Sequence, residues 1–376
     1  MDGGEGEPVQ SFILIPASSG RMTFYSVHTL RILLMAPQKN KRRKLNVAGS
    51  RDNPQSFQDQ DFLALHQKCL NNKELFVDEK FPADRRAIGS GLLPLNQVGK
   101  VVWKRPSELV NNPSLIVDGE SRFDFSQGEL GNCWFLAAIG AITFQKDIMD
   151  QVIPANQSFD EDYAGIFHFR FYRNRKWVDV VIDDQLPTLK GQLIFVNCKT
   201  RNEFWPALLE KAYAKVCGSY AALNGGFISD GLHDFTGGVY KTFDLTCASD
   251  NLWDLMDQAV KRRAVIGCGT PPGPTPANTV LPNGIVQGHA YTITGVTKLK
   301  AQGKLVKLVR VLNPWGKGEW KGDWSDKSRL WNDVSKQDRD SWLEEKNNGE
   351  FWMSMEDFCR CYDELDICSI GLDFLD

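Results

Sequence analysis

Hydrophobic residues past position 55 recur first with the period of helices and then with that of strands. The apolar residues of 62–69 lie at helical spacing and predict a short helix before the asparagine pair at 71–72. Residues 166–173 alternate between apolar and polar side chains and predict a strand, and residues 177–182 predict its returning neighbour. The first half of the chain is therefore predicted to be mainly helical, with a small sheet attached.

Later segments predict further helices and then a region dominated by strands. The apolar residues of 205–216 and of 252–259 have helical spacing. Residues 290–296 and 305–312 have β-rich composition and predict adjacent strands. A capping box at 354–357 predicts a late helix with the apolar residues Met355, Phe358, Tyr362 and Leu365.

The order of these elements predicts an α+β fold with two lobes. The glycine pair at 225–226 is the predicted hinge. A helical lobe then spans residues 51–226, and a β-rich lobe spans residues 227–376. Residues 1–50 follow a different pattern and are predicted to be a disordered N-terminal extension. The alternative architecture is a single fused domain without a mobile cleft.

Composition and charge narrow the class of partner and the compartment. The 376 residues are 42% hydrophobic and 24% charged, and a formal charge of −3 gives no reason to propose nucleic acid or an anionic membrane as the main partner. The apolar runs at 12–16 and 30–35 are too short to span a bilayer, so no stable membrane insertion is expected. The basic run at 39–44 is either a nuclear signal or, more commonly, a solvated tail. Nine irregularly spaced cysteines fit a reducing, cytoplasmic environment.

One cysteine stands where a glycine-containing turn meets an apolar helix. Cys133 follows the sequence QGELGN and precedes the apolar residues 135–142. The positive end of the helix macrodipole and its unpaired N–H groups would favour the thiolate form of this residue. Gln127 could supply a side-chain amide as an oxyanion donor. Taken alone, however, a cysteine beside an apolar helix is more often a core residue than a nucleophile.

Two residues far downstream favour the catalytic interpretation. His289 opens the predicted strand 290–296 and Asn313 closes the predicted strand 305–312, so an imidazole and an amide would lie side by side. Cysteine, then histidine, then asparagine is the chain order of papain-like proteases. His289 is predicted to act as general base and then acid, with the Asn313 oxygen holding its ring and tautomer. Singly, His289 is as readily a core histidine and Asn313 a turn residue.

Seven short blocks of sequence occur in the order of one known protease family. They are VDG at 117–119, QGELGNCWFLAA at 127–138, FTGGV at 235–239, GHAY at 288–291, NPWG at 313–316, DWSD at 323–326 and GEFWMS at 349–354. From about residue 75 to the C terminus the chain resembles the calpain family of intracellular, calcium-dependent cysteine proteases. The resemblance implies a two-lobed papain-like core, with the nucleophile in the helical lobe and the histidine and asparagine in the β-rich lobe. The Gln127 side chain and the Cys133 backbone N–H would stabilise the oxyanion.

The resemblance also implies two calcium sites, although the chain contains no EF-hand loop that would have indicated calcium. In the first lobe the matching ligands are the carbonyls of Val117 and Gly119 and the carboxylates of Asp124 and Glu203. In the second lobe they are Glu319, Asp326 and Glu350, the Lys346 carbonyl and Asn348. Asn348 replaces the aspartate usual in the family, and the loss of one negative charge predicts weaker calcium binding at the second site.

Two further matches concern the closed form of the cleft. Arg122 and Glu350 match a charge pair between the lobes, and Trp315 matches a tryptophan that shields the cleft and shifts on activation. Closure that brings Cys133 to its base would then act as a switch. Calcium bound within each lobe could bias the chain toward that closed arrangement.

The function implied by the resemblance is a calcium-regulated intracellular cysteine endopeptidase that performs limited cleavage of protein substrates. A calpastatin-like inhibitor is the implied regulatory partner. The alternatives are a catalytically silent calpain-like binding or scaffold module, and an acyl transferase that uses the same three residues. Because conventional calpains continue into a β-sandwich domain and often a penta-EF-hand domain, the chain is expected to be an isolated core, a short isoform or part of a longer protein.

Overall fold

The computed structural model of the chain describes four stretches of residues, namely 12–16, 22–26, 47–128 and 130–371. By its contacts the chain divides into two compact units, Met1–Asn46 and Val47–Asp376. All of the candidate site residues belong to the second unit.

The first unit, Met1–Asn46, has nearly the same bounds as the predicted extension at residues 1–50. Two strands are described in it, Phe12–Pro16 and Met22–Ser26, and they pair antiparallel. The basic run at 39–44 lies outside the described residues, and the predicted disorder of the extension stays a prediction. Gly49 makes backbone hydrogen bonds within the second unit, so the folded core begins slightly before the boundary predicted after residue 50.

Among its described residues, the second unit contains all five helices that the sequence periods predict, together with six that were not predicted. In chain order the α-helices are Phe62–Asn72, Arg85–Ile88, Leu95–Val98, Pro106–Leu109, Cys133–Ile142, Lys146–Val152, Trp205–Cys217, Ile228–Thr236, Leu252–Lys261, Lys336–Trp342 and Met355–Cys361. Short 3₁₀ turns lie at Phe57–Asp59, Tyr220–Leu223, Leu245–Cys247 and Arg329–Asp333.

Local chemistry sets several of the helix ends. The Asp61 carboxylate accepts the N–H three residues on at 2.8 Å and caps the first helix. The Ser354 hydroxyl accepts the Asp357 N–H at 3.0 Å and caps the last helix, which is one of the two hydrogen bonds of the predicted capping box. The helix Trp205–Cys217 ends at Gly218, whose φ of 99° is easily adopted only by glycine.

The largest sheet has six antiparallel strands, in the order Val239–Asp244, Glu364–Ser369, Val265–Gly269, Ala290–Ala301, Lys304–Leu312 and Glu350–Ser354. Two small sheets contain Gln55–Ser56 with Lys176–Asp183 and Ile166–Arg173, and Val102–Lys104 with Leu186–Leu189 and Gln192–Leu193. A two-stranded pair joins Phe125–Ser126 to Asn197–Cys198. The predicted neighbouring strands for His289 and Asn313 are thereby confirmed.

Four clusters of buried hydrophobic residues lie among the described residues of the second unit, and the two largest lie in the predicted helical lobe and the predicted β-rich lobe. The first core surrounds the helix Cys133–Ile142 and includes Phe167, Phe169 and Phe171, which lie on one face of their strand as predicted. The second core lies on the six-stranded sheet under the helix Leu252–Lys261.

The helix Ile228–Thr236 follows the predicted hinge and packs into the first core, as do Val265, Ala290 and Cys368 of the six-stranded sheet, so the lobe boundary at residue 227 stays a prediction. One prediction of secondary structure needs correction. Leu365 lies in the strand Glu364–Ser369 and not in the late helix, which ends at Cys361. Helical spacing continued by chance beyond the end of that helix.

Candidate active site

Cys133 is the first residue of a helix whose other residues are all buried. Burial raises the pKa of the Cys133 thiol, while the backbone N–H groups of Ala290, Trp134 and Cys133 act in the opposite direction. The N–H groups at the helix N terminus thus favour the thiolate, as predicted, but the loss of hydration on burial is larger and leaves the pKa of the thiol raised. Because the Ala290 N–H acts on the thiol, the Cys133 sulfur lies close to Ala290, the residue after His289.

His289 directly precedes Ala290, whose backbone N–H contacts the Cys133 sulfur. The His289 ring is 2% exposed, and its Nε2 lies 2.9 Å from Asn313 Oδ1. Because an amide oxygen only accepts, Nε2 carries the proton and Nδ1 keeps its lone pair. Nδ1 is buried and has no hydrogen-bond partner among the described residues. Burial lowers the pKa of His289 to about 4, against the effect of the Asn313 bond, so the imidazole is neutral.

Asn313 is held in one orientation by its own hydrogen bonds. Its Oδ1 also accepts the Trp315 N–H at 3.0 Å, and its Nδ2 donates to the Gly318 carbonyl at 3.1 Å. The side chain is fully buried. These contacts fix the amide, and the amide fixes the His289 ring and tautomer.

The cysteine helix and the histidine strand touch directly below these side chains. The Thr292 hydroxyl donates to the Ala137 carbonyl at 2.6 Å. A Cβ added at Gly140 would lie 2.8 Å from the Thr292 oxygen, so the helix approaches this closely only because residue 140 is glycine. The contact brings together the helix that begins at Cys133 and the strand that follows His289.

Gln127 is oriented by Trp315, whose ring lies near that of His289. Its Oε1 accepts the Trp315 indole N–H at 2.8 Å, and its Nε2 donates to the Leu130 carbonyl at 2.6 Å. The Trp315 ring centre lies 4.8 Å from that of His289. A side-chain amide nitrogen carries two hydrogens, so the second one remains for an oxyanion. The part of Gln127 in oxyanion binding stays a prediction.

Sequence analysis missed the buried support beneath this loop. Glu210 accepts the Asn132 side-chain N–H at 2.6 Å and the Val196 N–H at 3.0 Å. Burial raises the pKa of Glu210 to about 8. A Cβ at Gly128 would lie 2.1 Å from the Phe195 carbonyl oxygen, so the two segments that Glu210 joins are in close contact. The sequence did offer one sign of this support, since Glu210 is an acidic residue among the apolar residues of a predicted helix.

Arg122 and Glu350 form the charge pair that the resemblance implied. Two hydrogen bonds of 2.9 Å join the guanidinium to the two carboxylate oxygens. The side chains are 20% and 7% exposed, and Arg310 lies 3.8 Å from the same carboxylate. A bidentate pair of this kind restrains both position and direction.

The carboxylates predicted for the first calcium site lie near one another. Burial raises the pKa of Asp124 to about 6, and the neighbouring charge of Glu203 adds to this shift. Glu203 accepts the Val117 N–H at 2.8 Å and the Cys198 thiol at 2.9 Å. Gly119 has a φ of 88° and turns the chain at the predicted carbonyl ligands. Existing hydrogen bonds thus already satisfy Glu203 in part.

The carboxylates predicted for the second site are less well satisfied. Burial and the charge of Glu319 raise the pKa of Asp326 to about 7. Asp326 Oδ2 is buried without a hydrogen-bond partner in the part of the chain that is described. Glu319 accepts the Gly349 N–H at 2.9 Å, and burial raises its pKa as well. Two carboxylates that repel each other, one with an unpartnered oxygen, are suited to bind a cation.

The other predicted ligands of the second site are engaged elsewhere. The Asn348 side-chain oxygen accepts the Glu350 N–H at 2.9 Å, and the Lys346 carbonyl accepts the Asn348 N–H at 2.9 Å. Glu350 itself binds Arg122. Within the described ranges, no group of three or more histidine, cysteine, aspartate or glutamate side chains is arranged to hold a metal. The fit to calcium therefore rests on Glu319 and Asp326.

The two lobes, the cysteine helix and the paired histidine and asparagine define a papain-like cysteine protease core. Residues 76–369 match the family described as calpain family cysteine protease, and the chain belongs to that family. Calpains are in general regulated by calcium.

Individual relatives support this membership. The calpain-1 catalytic subunit of Mus musculus is 44% identical over 341 residues, which cover 90% of this chain and 48% of that protein. Calpain-14 of Homo sapiens is 48% identical over 321 residues, covering 85% and 46%, respectively. The human calpain-2 catalytic subunit is 42% identical over 330 residues, covering 87% and 47%. The chain thus spans about half the length of these relatives. None of its described helices is long and apolar enough to cross a membrane.

Proposed function

We propose that this chain is the protease core of a calcium-regulated cysteine endopeptidase, with Cys133 as nucleophile and His289 as proton carrier. The observation that carries the proposal is the 2.9 Å bond from His289 Nε2 to Asn313 Oδ1. It leaves the buried Nδ1 lone pair, which is unpartnered in the described structure, to take the proton of the thiol.

The nucleophile forms by transfer of one proton. In the resting pair both groups are neutral, because burial raises the pKa of Cys133 and lowers that of His289. Transfer from Sγ to Nδ1 creates the thiolate and the imidazolium together, so each charge stabilises the other. Backbone N–H groups, including that of Ala290, favour the thiolate, and the Asn313 oxygen favours the imidazolium.

Cleavage then follows in two steps. The Cys133 sulfur attacks the scissile carbonyl carbon, and the resulting oxyanion accepts hydrogen bonds from the Cys133 N–H and the Gln127 Nε2. The imidazolium of His289 gives its proton to the leaving amine as the C–N bond breaks. His289 next takes a proton from water, which attacks the thioester and releases the acid and the free thiol.

Calcium would be held in two loops. Asp124 and Glu203 with the Val117 and Gly119 carbonyls would form the first site. The second would contain Glu319 and Asp326, with Glu350, Asn348 and the Lys346 carbonyl beside them. A bound calcium ion supplies positive charge that offsets the repulsion between neighbouring carboxylates. Neutralising Asp326 and Glu319 would favour the closed arrangement that the Arg122–Glu350 pair also stabilises.

The physiological setting follows from the same proposal. Substrates would be intracellular proteins, cut at few sites in extended, accessible segments. A calpastatin-like inhibitor would be the regulatory partner, the compartment would be the cytoplasm, and neither nucleic acid nor a membrane would be a main partner. All nine cysteines are unpaired, which agrees with a reducing compartment.

The decisive experiment is cleavage of an unstructured protein substrate across a calcium titration. Cys133→Ser should abolish cleavage at every calcium concentration, and chelator should abolish it in the parent chain. Cys247→Ser is the matched control, because Cys247 is an exposed thiol away from the cleft and its loss should change nothing.

Each part of the proposal has its own contrary result. Full cleavage in excess chelator would exclude calcium regulation, and cleavage by Cys133→Ser would exclude this nucleophile. Calcium binding without any cleavage would favour the catalytically silent module. New isopeptide bonds in place of free peptide ends would favour acyl transfer to an amine.

A further inference from the structure

A cavity of about 650 Å³ lies beside the predicted oxyanion donor. Gln127 and Gly128 line one side, and Trp315, Gly316 and Lys317 line another. Lys199 also lines it, and among the described lining residues the two lysines are the only charged side chains. The described residues therefore contribute positive charge to a cavity that adjoins Gln127 and Trp315.

The two lysines reach the cavity from different lobes. Lys199 follows the short strand Asn197–Cys198 of the helical lobe, and Lys317 follows the NPWG turn that begins at Asn313. A Cβ added at Gly316 would lie 2.5 Å from Lys199 Nζ, so this ammonium group lies against the turn of the opposite lobe. The positive charge is placed where the two lobes meet.

Neither ammonium group is neutralised by a described carboxylate at ion-pair distance. Burial lowers the pKa of Lys199, although the charge of Asp124 acts in the opposite direction. Both lysine side chains are exposed, and an exposed ammonium group without a close counterion still attracts an anionic ligand, most strongly at low salt. Glu129, whose chain neighbours Gly128 and Leu130 line the cavity, lies outside the described residues, so its charge must be tested by substitution.

The proposed mechanism indicates which half of the substrate would enter this cavity. His289 must protonate the leaving amine, so the peptide on the C-terminal side of the scissile bond lies on the histidine side of the sulfur. Trp315 stands 4.8 Å from the His289 ring and lines the cavity. Side chains that enter the cavity therefore come from the leaving half of the substrate.

We propose that this cavity is a subsite for an aspartate or glutamate C-terminal to the scissile bond, with Lys199 and Lys317 as its specificity-determining residues. The inference rests on the proposed protease function and adds a substrate preference to it. Acidic protein segments would be cut in preference to neutral or basic ones because their leaving half enters a positively charged pocket.

The test uses internally quenched peptides that are identical before the scissile bond. Asp, Asn or Lys is placed in turn at each of the positions that follow it, and kcat/KM is measured with calcium present. At low salt we expect about a tenfold preference for Asp over Asn at one of these positions, since each lysine at a partly exposed site contributes about threefold. The preference should shrink as salt is added.

Variants assign the preference to the lysines. Lys199→Gln and Lys317→Gln should each reduce it about threefold, and the double variant should remove it. Lys199→Glu with Lys317→Glu should favour the Lys peptide instead. Lys304→Gln, at an exposed position at the start of the strand Lys304–Leu312, should leave the preference unchanged, and Glu129→Gln should not weaken it.

Equal kcat/KM for the Asp and Asn peptides at every position would overturn the proposal, and so would a preference that survives in the double glutamine variant. If no peptide is cleaved, the proposed function fails and the subsite is tested by binding. Fluorescent Asp and Asn peptides are then titrated against the Cys133→Ser chain with calcium. Tighter binding of the Asp peptide that depends on both lysines would support the subsite, and equal binding would exclude it.

Discussion

The His289–Asn313 pair and the Glu319–Asp326 pair are both polar groups of the β-rich lobe, but they are supported in different ways. The Asn313 oxygen accepts two hydrogen bonds and its nitrogen donates one, so the amide is held without any ligand. Glu319 and Asp326 instead repel each other, and one Asp326 oxygen has no partner among the described residues. Strand pairing and hydrogen bonds within the chain assemble the proposed catalytic pair, whereas the acidic pair forms no salt bridge among the described residues. We expect substitutions in the first to reduce the rate and substitutions in the second to change the calcium requirement.

The largest effect should come from removing the Asn313 side chain. Asn313→Ala leaves the His289 ring without its orienting acceptor, and kcat/KM should fall about 100-fold, since positioned acid–base catalysis contributes on that order. The calcium concentration for half-maximal activity should stay the same. Asn332→Ala, at an exposed position, is the control. A large shift in calcium requirement for Asn313→Ala would remove the distinction between the two pairs.

A smaller effect is expected from neutralising the acidic pair. Asp326→Asn removes a hard anionic ligand, so the calcium concentration for half-maximal activity should rise about tenfold, with little change of kcat at saturation. Asp160→Asn at an exposed site should change neither quantity. A fall in kcat at saturating calcium without a shift of the midpoint would show that Asp326 serves the cleft and not a cation.

Without calcium, Asp326→Asn should also raise the free energy of unfolding, by an amount that depends on pH. The pKa of Asp326 in the folded chain is about 7, above its usual 3.8, so ionisation opposes folding. The penalty is absent below pH 3.8, grows as pH rises toward 7 and is constant above it. In chelator, Asp326→Asn should therefore exceed the parent by about 1 kcal/mol at pH 8 after allowance for solvent screening, and by nothing at pH 3.5. Urea unfolding at several pH values measures the difference, and a difference independent of pH would contradict the prediction.

The smallest effect should come from the indole of Trp315. Trp315→Phe keeps a ring over His289 but removes the donor to Gln127 Oε1. Because one hydrogen bond contributes about 1 kcal/mol, kcat should fall about threefold to fivefold with KM nearly unchanged. Trp342→Phe, which alters an aromatic pair elsewhere in the lobe, is the control. An unchanged kcat would mean that Gln127 is oriented without Trp315.

Sequence patterns predicted the features that depend on neighbouring residues. The strands that carry His289 and Asn313 have regular composition, and a proline follows Asn313, so their existence and pairing could be predicted. The Ser354 cap of the last helix depends on residues three apart and was confirmed. The charge pair of Arg122 with Glu350 came from family resemblance, because no local pattern joins residues so distant in sequence.

Features that depend on distant packing could not be predicted in this way. Glu210 supports the residue before Cys133 from another helix, and Lys199 reaches the cleft from a segment far along the chain. The raised pKa of the Cys133 thiol required knowledge of how deeply the folded chain buries it. Leu365 was assigned to a helix because spacing alone does not reveal where a helix ends.

The close approach of Gly140 to Thr292 has an evolutionary consequence. Any side chain at 140 would meet the hydroxyl that binds the Ala137 carbonyl, so the two positions cannot change independently. Homologues that carry alanine or serine at the first position should carry a smaller residue at the second, and the two columns of an alignment should covary. Covariation of positions 140 and 292 would therefore identify, from sequence alone, a contact between the cysteine helix and the histidine strand.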